Sequence, residues 1–148
     1  MKDRLKELLE KGYLLSLGIQ DEKGPWVADV IYIYDEHFNI YWISDIGTRH
    51  SKAIENNQKG SGAITVSKLG EHNFGIQLEG IARRLEGDHS ELAKLYTQRR
   101  KKVLGEESVF DSVGKIKDKD ESWYLIEPTM IGLIDEENFG FNRQEISL

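Results

Sequence analysis

Residues 42–54, WISDIGTRHSKAI, pass from an apolar strand pattern through a turn to the start of a helix. Thr48 stands where the helix begins, and threonine there caps free backbone N–H groups of the first turn. Arg49, His50 and Lys52 follow, although positive charge is unfavourable at the positive end of a helix dipole. A phosphate explains this placement, bound by the Arg49 guanidinium, the Thr48 hydroxyl and a His50 ring N–H. The alternative is a capped surface helix whose basic side chains point into water.

Strand patterns precede this stretch at short intervals. Residues 13–20 and 26–34 are rich in apolar, β-branched and aromatic side chains, and 40–44 form a third such run. Turn residues separate the three runs, so they predict an antiparallel meander. A short amphipathic helix at 3–10 comes before them.

The rest of the chain continues the same alternation of short elements. The helix after Thr48 is expected to end near Gly60, and strands are predicted at 62–66 and 74–84. A helix is predicted at 88–103, and a last strand at 123–134, where Pro128 should bend the strand or place it at an edge. Six strands, mostly in hairpin order, do not alternate as β-α-β units. The pattern therefore predicts a mainly β fold, a six-stranded antiparallel barrel with peripheral helices.

Composition limits the classes of function. The 148 residues suit a single domain, 1–148. No cysteine is present, which excludes disulfides, thiolate nucleophiles and cysteine zinc sites. A net charge of −6 disfavours nucleic-acid binding. No apolar run is long enough to cross a membrane and the N-terminus lacks a secretory signal, so we expect no membrane association and a cytoplasmic location.

Familiar chemical motifs are missing from the sequence. Neither nucleotide-binding glycine pattern occurs, the histidines lack zinc-site spacing, and no serine lies in a hydrolase elbow. We therefore predict no metal site. The basic run 99–102 is balanced by acidic residues that follow it, which favours a solvated helix end over a nucleic-acid patch.

The order and spacing of these segments resemble the pyridoxamine 5′-phosphate oxidase-like superfamily, the FMN-binding split β-barrels. The likeness covers nearly the whole chain and rests on four segments: 26–34, 41–54, 76–85 and the tail 138–142. It implies FMN as the cofactor, with FAD as a further possibility. It also implies that Thr48, Arg49 and His50 hold the flavin phosphate, with His50 in place of the family's usual lysine. Because an imidazole loses its charge as pH rises, FMN affinity is expected to weaken at alkaline pH.

The same resemblance supplies expectations for the flavin ring. The ring lies along the second and third strands of the family and is contacted mainly by backbone groups. These positions correspond to Val30, Ile31, Ile43 and Ser44. Gln77 matches a flavin-contacting glutamine, although a half-buried strand amide would serve equally well without the resemblance.

Family barrels pair, so the resemblance implies a homodimer with the cofactor cleft at the subunit interface. Phe139, Phe141 and Arg143 are candidates to close the partner's cleft, or else the tail packs on its own barrel. Tyr32 stands where the authentic oxidase has a substrate-binding lysine, so vitamin B6 oxidation is not implied. The expected function is flavin-dependent oxidation or reduction of a small-molecule substrate. The alternatives are a non-catalytic flavin or haem binding and storage module and, more remotely, a protein-binding adaptor.

Overall fold

The computed structural model describes residues 1–104 and 115–148, which form four helices and eight strands. Along the chain these are α1 (Lys2–Lys11), β1 (Leu14–Asp21), β2 (Gly24–Ile31), β3 (Ile33–Tyr34), β4 (Ile40–Asp45), α2 (Arg49–Asn56), β5 (Lys59–Thr65), β6 (Phe74–Leu85), α3 (Ser90–Leu104), β7 (Glu121–Asp135), α4 (Glu136–Phe139) and β8 (Gln144–Ile146). The expected helices at 3–10 and 88–103 correspond to α1 and α3. Between α3 and β7 the sequence is polar and charged over residues 106–121, of which only 115–121 lie within the described residues.

The helix after Thr48 is shorter than expected. It ends at Asn56 rather than near Gly60. The reason is that the chain joins the sheet early, since Lys59 and Gly60 already pair with Ile81 and Gly80 of β6.

All strands belong to one sheet in which neighbours are antiparallel. The order across the sheet is β2-β1-β5-β6-β7-β4-β3, and β8 pairs with β7. The expectation of a mainly β, antiparallel architecture is confirmed. The expected count of six strands is wrong, because seven strands follow one another across the sheet within the described residues.

The extra strand arises at Tyr32, which interrupts the run expected at 26–34. Tyr32 is fully buried, and its hydroxyl donates a hydrogen bond of 2.8 Å to the carbonyl oxygen of Leu9 in α1. Its backbone N–H still bonds to Tyr13, whereas the next residue, Ile33, pairs with Tyr41 of β4. One stretch of sequence therefore supplies β2 to one end of the sheet and β3 to the other.

β2 and β3 are the two end strands of the sheet and also follow one another directly in the chain. The sheet must therefore curl so that its two ends come together. Among the described residues, β3 pairs only with Ile40 and Tyr41 at the start of β4. In the described part of the chain, no strand pairs with the remaining edge of β4, from Trp42 to Asp45, on the side opposite β7. The barrel is therefore split between β2 and β4, and α2 begins a few residues beyond the split edge.

Two apolar clusters hold the barrel together. The larger lies inside it, where Leu15, Trp42 and Ile126 are almost fully buried with the apolar face of α1. The smaller lies on the outer surface, where Ala93 and Tyr96 of α3 cover one side of β3, β4 and β7. Because strand side chains alternate between faces, both surfaces of this part of the sheet are covered.

A β-bulge bends the longest pair of strands, β6 and β7. Glu79 pairs with Met130 but Gly80 pairs with Pro128, which leaves Thr129 without a partner. The strands approach so closely that a side chain at Gly80 would overlap the carbonyl oxygen of Glu127. The bend expected at Pro128 is thus present, with the bulge next to the proline.

Candidate functional site

Thr48 caps α2 as the sequence predicts. Its Oγ1 accepts the backbone N–H of Ser51 at 3.3 Å and lies 2.8 Å from the Ser51 hydroxyl. Ser51 is completely buried, which anchors the first turn of the helix to the protein interior. The backbone N–H groups of Arg49 and His50 precede the first helical hydrogen bond, so the helix itself offers them no acceptor.

His50 links the start of α2 to the end of β4. Its Nε2 lies 2.9 Å from the hydroxyl of Ser44 and 3.4 Å from that of Thr48. Ser44 is only 8% exposed, so this contact is shielded from bulk water. Burial lowers the pKa of His50, which keeps the ring neutral at pH 7. The structure therefore brings together three of the predicted cofactor residues.

Arg49 points elsewhere. Its Nε and Nη2 donate to the two carboxylate oxygens of Asp21 at 2.8 Å and 3.0 Å, a bidentate ion pair at the turn between β1 and β2. The guanidinium also lies 4.4 Å from the centre of the Trp26 ring. The hydrogen bonds from Arg49 hold the pKa of Asp21 below its ordinary value. Sequence reasoning missed this pair, because Asp21 and Arg49 are 28 residues apart and no local pattern connects them.

The predicted ring-binding residues lie on both sides of the split. Val30 directs its side chain into the inner core, whereas Ile31 and Ile43 pack on the outer surface against the cluster beneath α3. Their side chains are thus occupied with packing. The groups they can offer at the split are backbone N–H and carbonyl groups, which require hydrogen-bond partners of some kind.

Gln77 is held by the C-terminal tail and makes its contact there rather than with α2. It is exposed on the outer face of β6, and its Oε1 accepts a hydrogen bond of 3.3 Å from Nη1 of Arg143. The Arg143 side chain covers Gly132, where any added side chain would meet it. Phe139 packs on the inner core, whereas Phe141 is 87% exposed.

Two concavities of the described residues lie away from these positions. One, of about 570 Å³, is lined by α1, β3 and α3, including Glu10, Tyr34 and Arg99. The other, of about 810 Å³, lies between α1, the loop before β6 and the end of β7. Neither contains a predicted cofactor residue.

The basic run 99–102 is solvated in part: Lys101 and Lys102 are exposed in the last turn of α3, as its composition favours, whereas Arg99 turns into the protein. The Arg99 side chain is only 12% exposed. Its Nη2 donates to the backbone carbonyls of Leu9, at 2.6 Å, and Gly12 at the end of α1. Arg99 therefore binds the negative end of α1 and has a structural task within the chain.

Two further features concern metal and membrane. Among residues 1–104 and 115–148, no three acidic or histidine side chains are grouped as a metal site requires. None of the helices in these ranges has both the length and the apolar character needed to span a bilayer.

Comparison with solved structures identifies the fold. General Stress Protein 26 from Bacillus anthracis superposes with a TM-score of 0.72, covering 99% of this chain and 98% of that chain at 19% identity. A Listeria innocua protein described as "Putative Pyridoxamine 5'-phosphate oxidase" gives 0.65, covering 90% and 97% at 15% identity. This chain has the pyridoxamine 5′-phosphate oxidase-like split-barrel fold. HutZ from Vibrio cholerae, described as a haem storage protein, has a similar split barrel, with a TM-score of 0.68 over 89% of this chain and 93% of its own at 15% identity.

Sequence comparison is narrower in extent. UPF0306 protein PM1958 from Pasteurella multocida is 29% identical over 96 residues, which cover 64% of this split-barrel chain and 64% of that protein. UPF0306 protein YhbP from Escherichia fergusonii is 30% identical over 98 residues, covering 62% of this chain. The chain thus matches about 64% of the length of these relatives. No protein-family model matches the chain.

Proposed function

We propose that two copies of this chain bind FMN at their interface and that the bound flavin oxidises or reduces a small-molecule substrate. One observation carries the proposal. The unpaired edge of β4 leads directly to the Ser44, Thr48 and His50 cluster at the start of α2. A planar ring beside that edge would have its phosphate at a helix N-terminus, which favours anions.

The phosphate end fits the donors that the chain provides. The free N–H groups of Arg49 and His50, together with the Thr48 hydroxyl, can bond to phosphate oxygens. A neutral His50 adds one ring N–H donor. Arg49 adds a charged donor only when its side chain turns from Asp21 toward the helix start.

The ring end fits backbone recognition. Backbone groups of residues 30–31 and 43–44 flank the split, and the Ser44 hydroxyl lies at its edge. Flavin supplies the hydride or electron transfer when it is bound. The chain's own contribution is to bind the ring edge, orient it and shield it from water.

The second subunit supplies the missing wall of the site. Leu14, Val27 and Ile81 are exposed apolar residues of β1, β2 and β6. Leu14 and Ile81 each adjoin a core residue of their own strand, and Val27 pairs with Gly18, which lies between two core residues of β1. These three side chains therefore share the outer surface of the sheet. The exposed Phe141 and the adjacent Arg143 lie in the tail that would reach across a dimer.

The test is the visible absorption spectrum of the purified protein, followed by titration with FMN. We expect yellow protein or saturable quenching of flavin fluorescence. Arg49→Ala should weaken FMN binding by about tenfold, because a charge-assisted contact to phosphate is lost. Lys94→Ala, at an exposed position of α3, is the matched control and should bind as wild type does. Wild-type protein that stays colourless and does not saturate would overturn the proposal.

A haem binding or storage module on the same barrel is the second candidate. The observation in its favour is the likeness to HutZ and to a haem-binding protein from Mycobacterium smegmatis, which gives a TM-score of 0.69 at 17% identity. Addition of haem would then produce a saturable Soret band in place of flavin binding. Turnover of reduced nicotinamide with an electron acceptor separates an enzyme from a pure flavin carrier, because a carrier gives none.

A further inference from the structure

We infer that Asp21 determines the specificity of the phosphate site by competing, as an internal anion, with the cofactor phosphate for Arg49. The inference rests on the proposed FMN site. It assigns to that site a residue outside the segments that resemble the flavin-binding family, and it names the chemical class of phosphate that the site accepts.

The ion pair uses the edge of Arg49 that a phosphate would need. Nε and Nη2 form the planar fork that binds two oxygens of one anion, and both donate to Asp21. Trp26 covers one face of the guanidinium at 4.4 Å and so fixes its orientation toward Asp21. In this arrangement a carboxylate occupies the position of a phosphate on the fork.

Asp21 remains an anion throughout the working pH range. The hydrogen bonds from Arg49 lower the pKa of its carboxyl, so protonation cannot release the arginine near neutral pH. A phosphate brought to Arg49 must therefore displace a charged carboxylate and tolerate its repulsion nearby. Glu22, the next residue, adds a further negative charge to the same turn.

Because a ligand must displace the Asp21 carboxylate from Arg49, the site favours ligands with a high negative charge. A phosphomonoester carries about −1.5 to −2 at pH 7, whereas a carboxylate carries −1 and a phosphodiester −1 for each phosphate. The phosphomonoester of FMN therefore competes better for the fork than the diphosphate diester of FAD or a haem propionate. Riboflavin, without a phosphate, does not compete for Arg49 at all.

Asp21→Asn isolates this effect. Oδ1 of Asp21 also accepts the backbone N–H of Lys23 at 2.9 Å, and an asparagine oxygen can keep that bond and the turn. Glu22→Gln is the matched control, because it removes the same charge from the same turn without touching the Arg49 fork. Asp21→Ser, which also keeps a turn-forming oxygen, serves as a second variant should Asp21→Asn fail to fold.

The experiment is fluorescence titration of the full chain and both variants with FMN, FAD and riboflavin. We expect Asp21→Asn to bind FMN about fivefold more tightly, since the competing ion pair is lost. FAD should gain more than FMN, so that the preference for FMN narrows. Riboflavin binding should stay at the wild-type value, and Glu22→Gln, whose carboxylate acts on Arg49 only through space, should gain clearly less than Asp21→Asn.

The outcomes separate this inference from the proposed function. FMN binding by wild type with equal or weaker binding by Asp21→Asn overturns the role of Asp21 and leaves the flavin site in place. An equal gain for riboflavin, or for Glu22→Gln, also overturns it, because the effect is then not competition for the phosphate. No FMN binding by wild type or by either Asp21 variant overturns both proposals.

Discussion

At the scale of single residues, His50 shows how an environment changes the pH at which a group responds. The sequence suggested weaker FMN binding at alkaline pH, because imidazole loses its charge as pH rises past its ordinary pKa of 6.5. Burial lowers that pKa, so the ring is already neutral at pH 7. The charge of His50 therefore changes with pH only on the acidic side, below pH 6.5.

The first prediction concerns stability at low pH. Because the unfolded chain protonates His50 before the folded chain does, its contribution to the free energy of unfolding is complete above pH 6.5 and is lost as pH falls. Urea midpoints measured from about pH 7.5 to about pH 5 should fall more steeply for wild type than for His50→Asn. His37→Asn, at a highly exposed histidine, should follow the wild-type curve. Parallel curves for wild type and His50→Asn would contradict the prediction.

At the scale of elements, Arg99 connects α3 to α1. It donates to carbonyl oxygens at the end of α1, and its guanidinium lies 5.0 Å from the Tyr32 ring. We predict that Arg99→Ala lowers the free energy of unfolding by about 1.5–3 kcal/mol, because buried carbonyls lose a charged donor. Chemical denaturation measures the change. Lys101→Ala, at an exposed position of the same helix, should change the free energy of unfolding by less than about 0.5 kcal/mol. Equal effects of the two substitutions would refute the role of Arg99.

The close approach of β6 and β7 yields a prediction with an internal control. At Gly80 an added methyl group meets the backbone carbonyl of Glu127, which cannot move without opening the bulge. At Gly132 it meets the flexible side chain of Arg143. Gly80→Ala should therefore destabilise the protein by about 2–4 kcal/mol, and Gly132→Ala by less than about 1 kcal/mol. Thermal unfolding of both variants is the measurement, and a reversed order would refute the argument.

Local patterns in the sequence were sufficient for some elements and not for others. α1 and the start of α2 were predictable because helical spacing and the Thr48 cap depend on neighbouring residues. The interruption at Tyr32 depends on α1, whose Leu9 carbonyl accepts the tyrosine hydroxyl, and β8 depends on pairing with β7.

The same distinction between local and distant contacts applies to the candidate site. The cap at Thr48 was predictable and is present, whereas the Asp21 partner of Arg49 comes from a distant turn; flavin binding by these residues stays a prediction.

At the scale of the whole molecule, the fourth prediction concerns assembly. Light scattering should give twice the chain mass of 17.0 kDa. Ile81→Asp should shift the mass to that of one chain and abolish flavin binding, because a charge replaces an exposed apolar side chain of the proposed interface on the outer face of β6. Leu69→Asp makes the same chemical change at a fully exposed loop position and should leave the dimer intact. Dimeric Ile81→Asp, or a monomeric wild type, would contradict the proposed interface.

The bulge at Thr129 determines which residues of β7 face inward. Before it the even-numbered Tyr124 and Ile126 lie in the inner core, and beyond it the odd-numbered Ile131 and Leu133 do. One extra residue thus changes the parity of the strand while keeping the same face apolar. The side chain of Thr129 is exposed and open to substitution, but its deletion would turn Ile131 and Leu133 outward. At this point of the chain the length of the sequence, more than its chemistry, specifies the barrel.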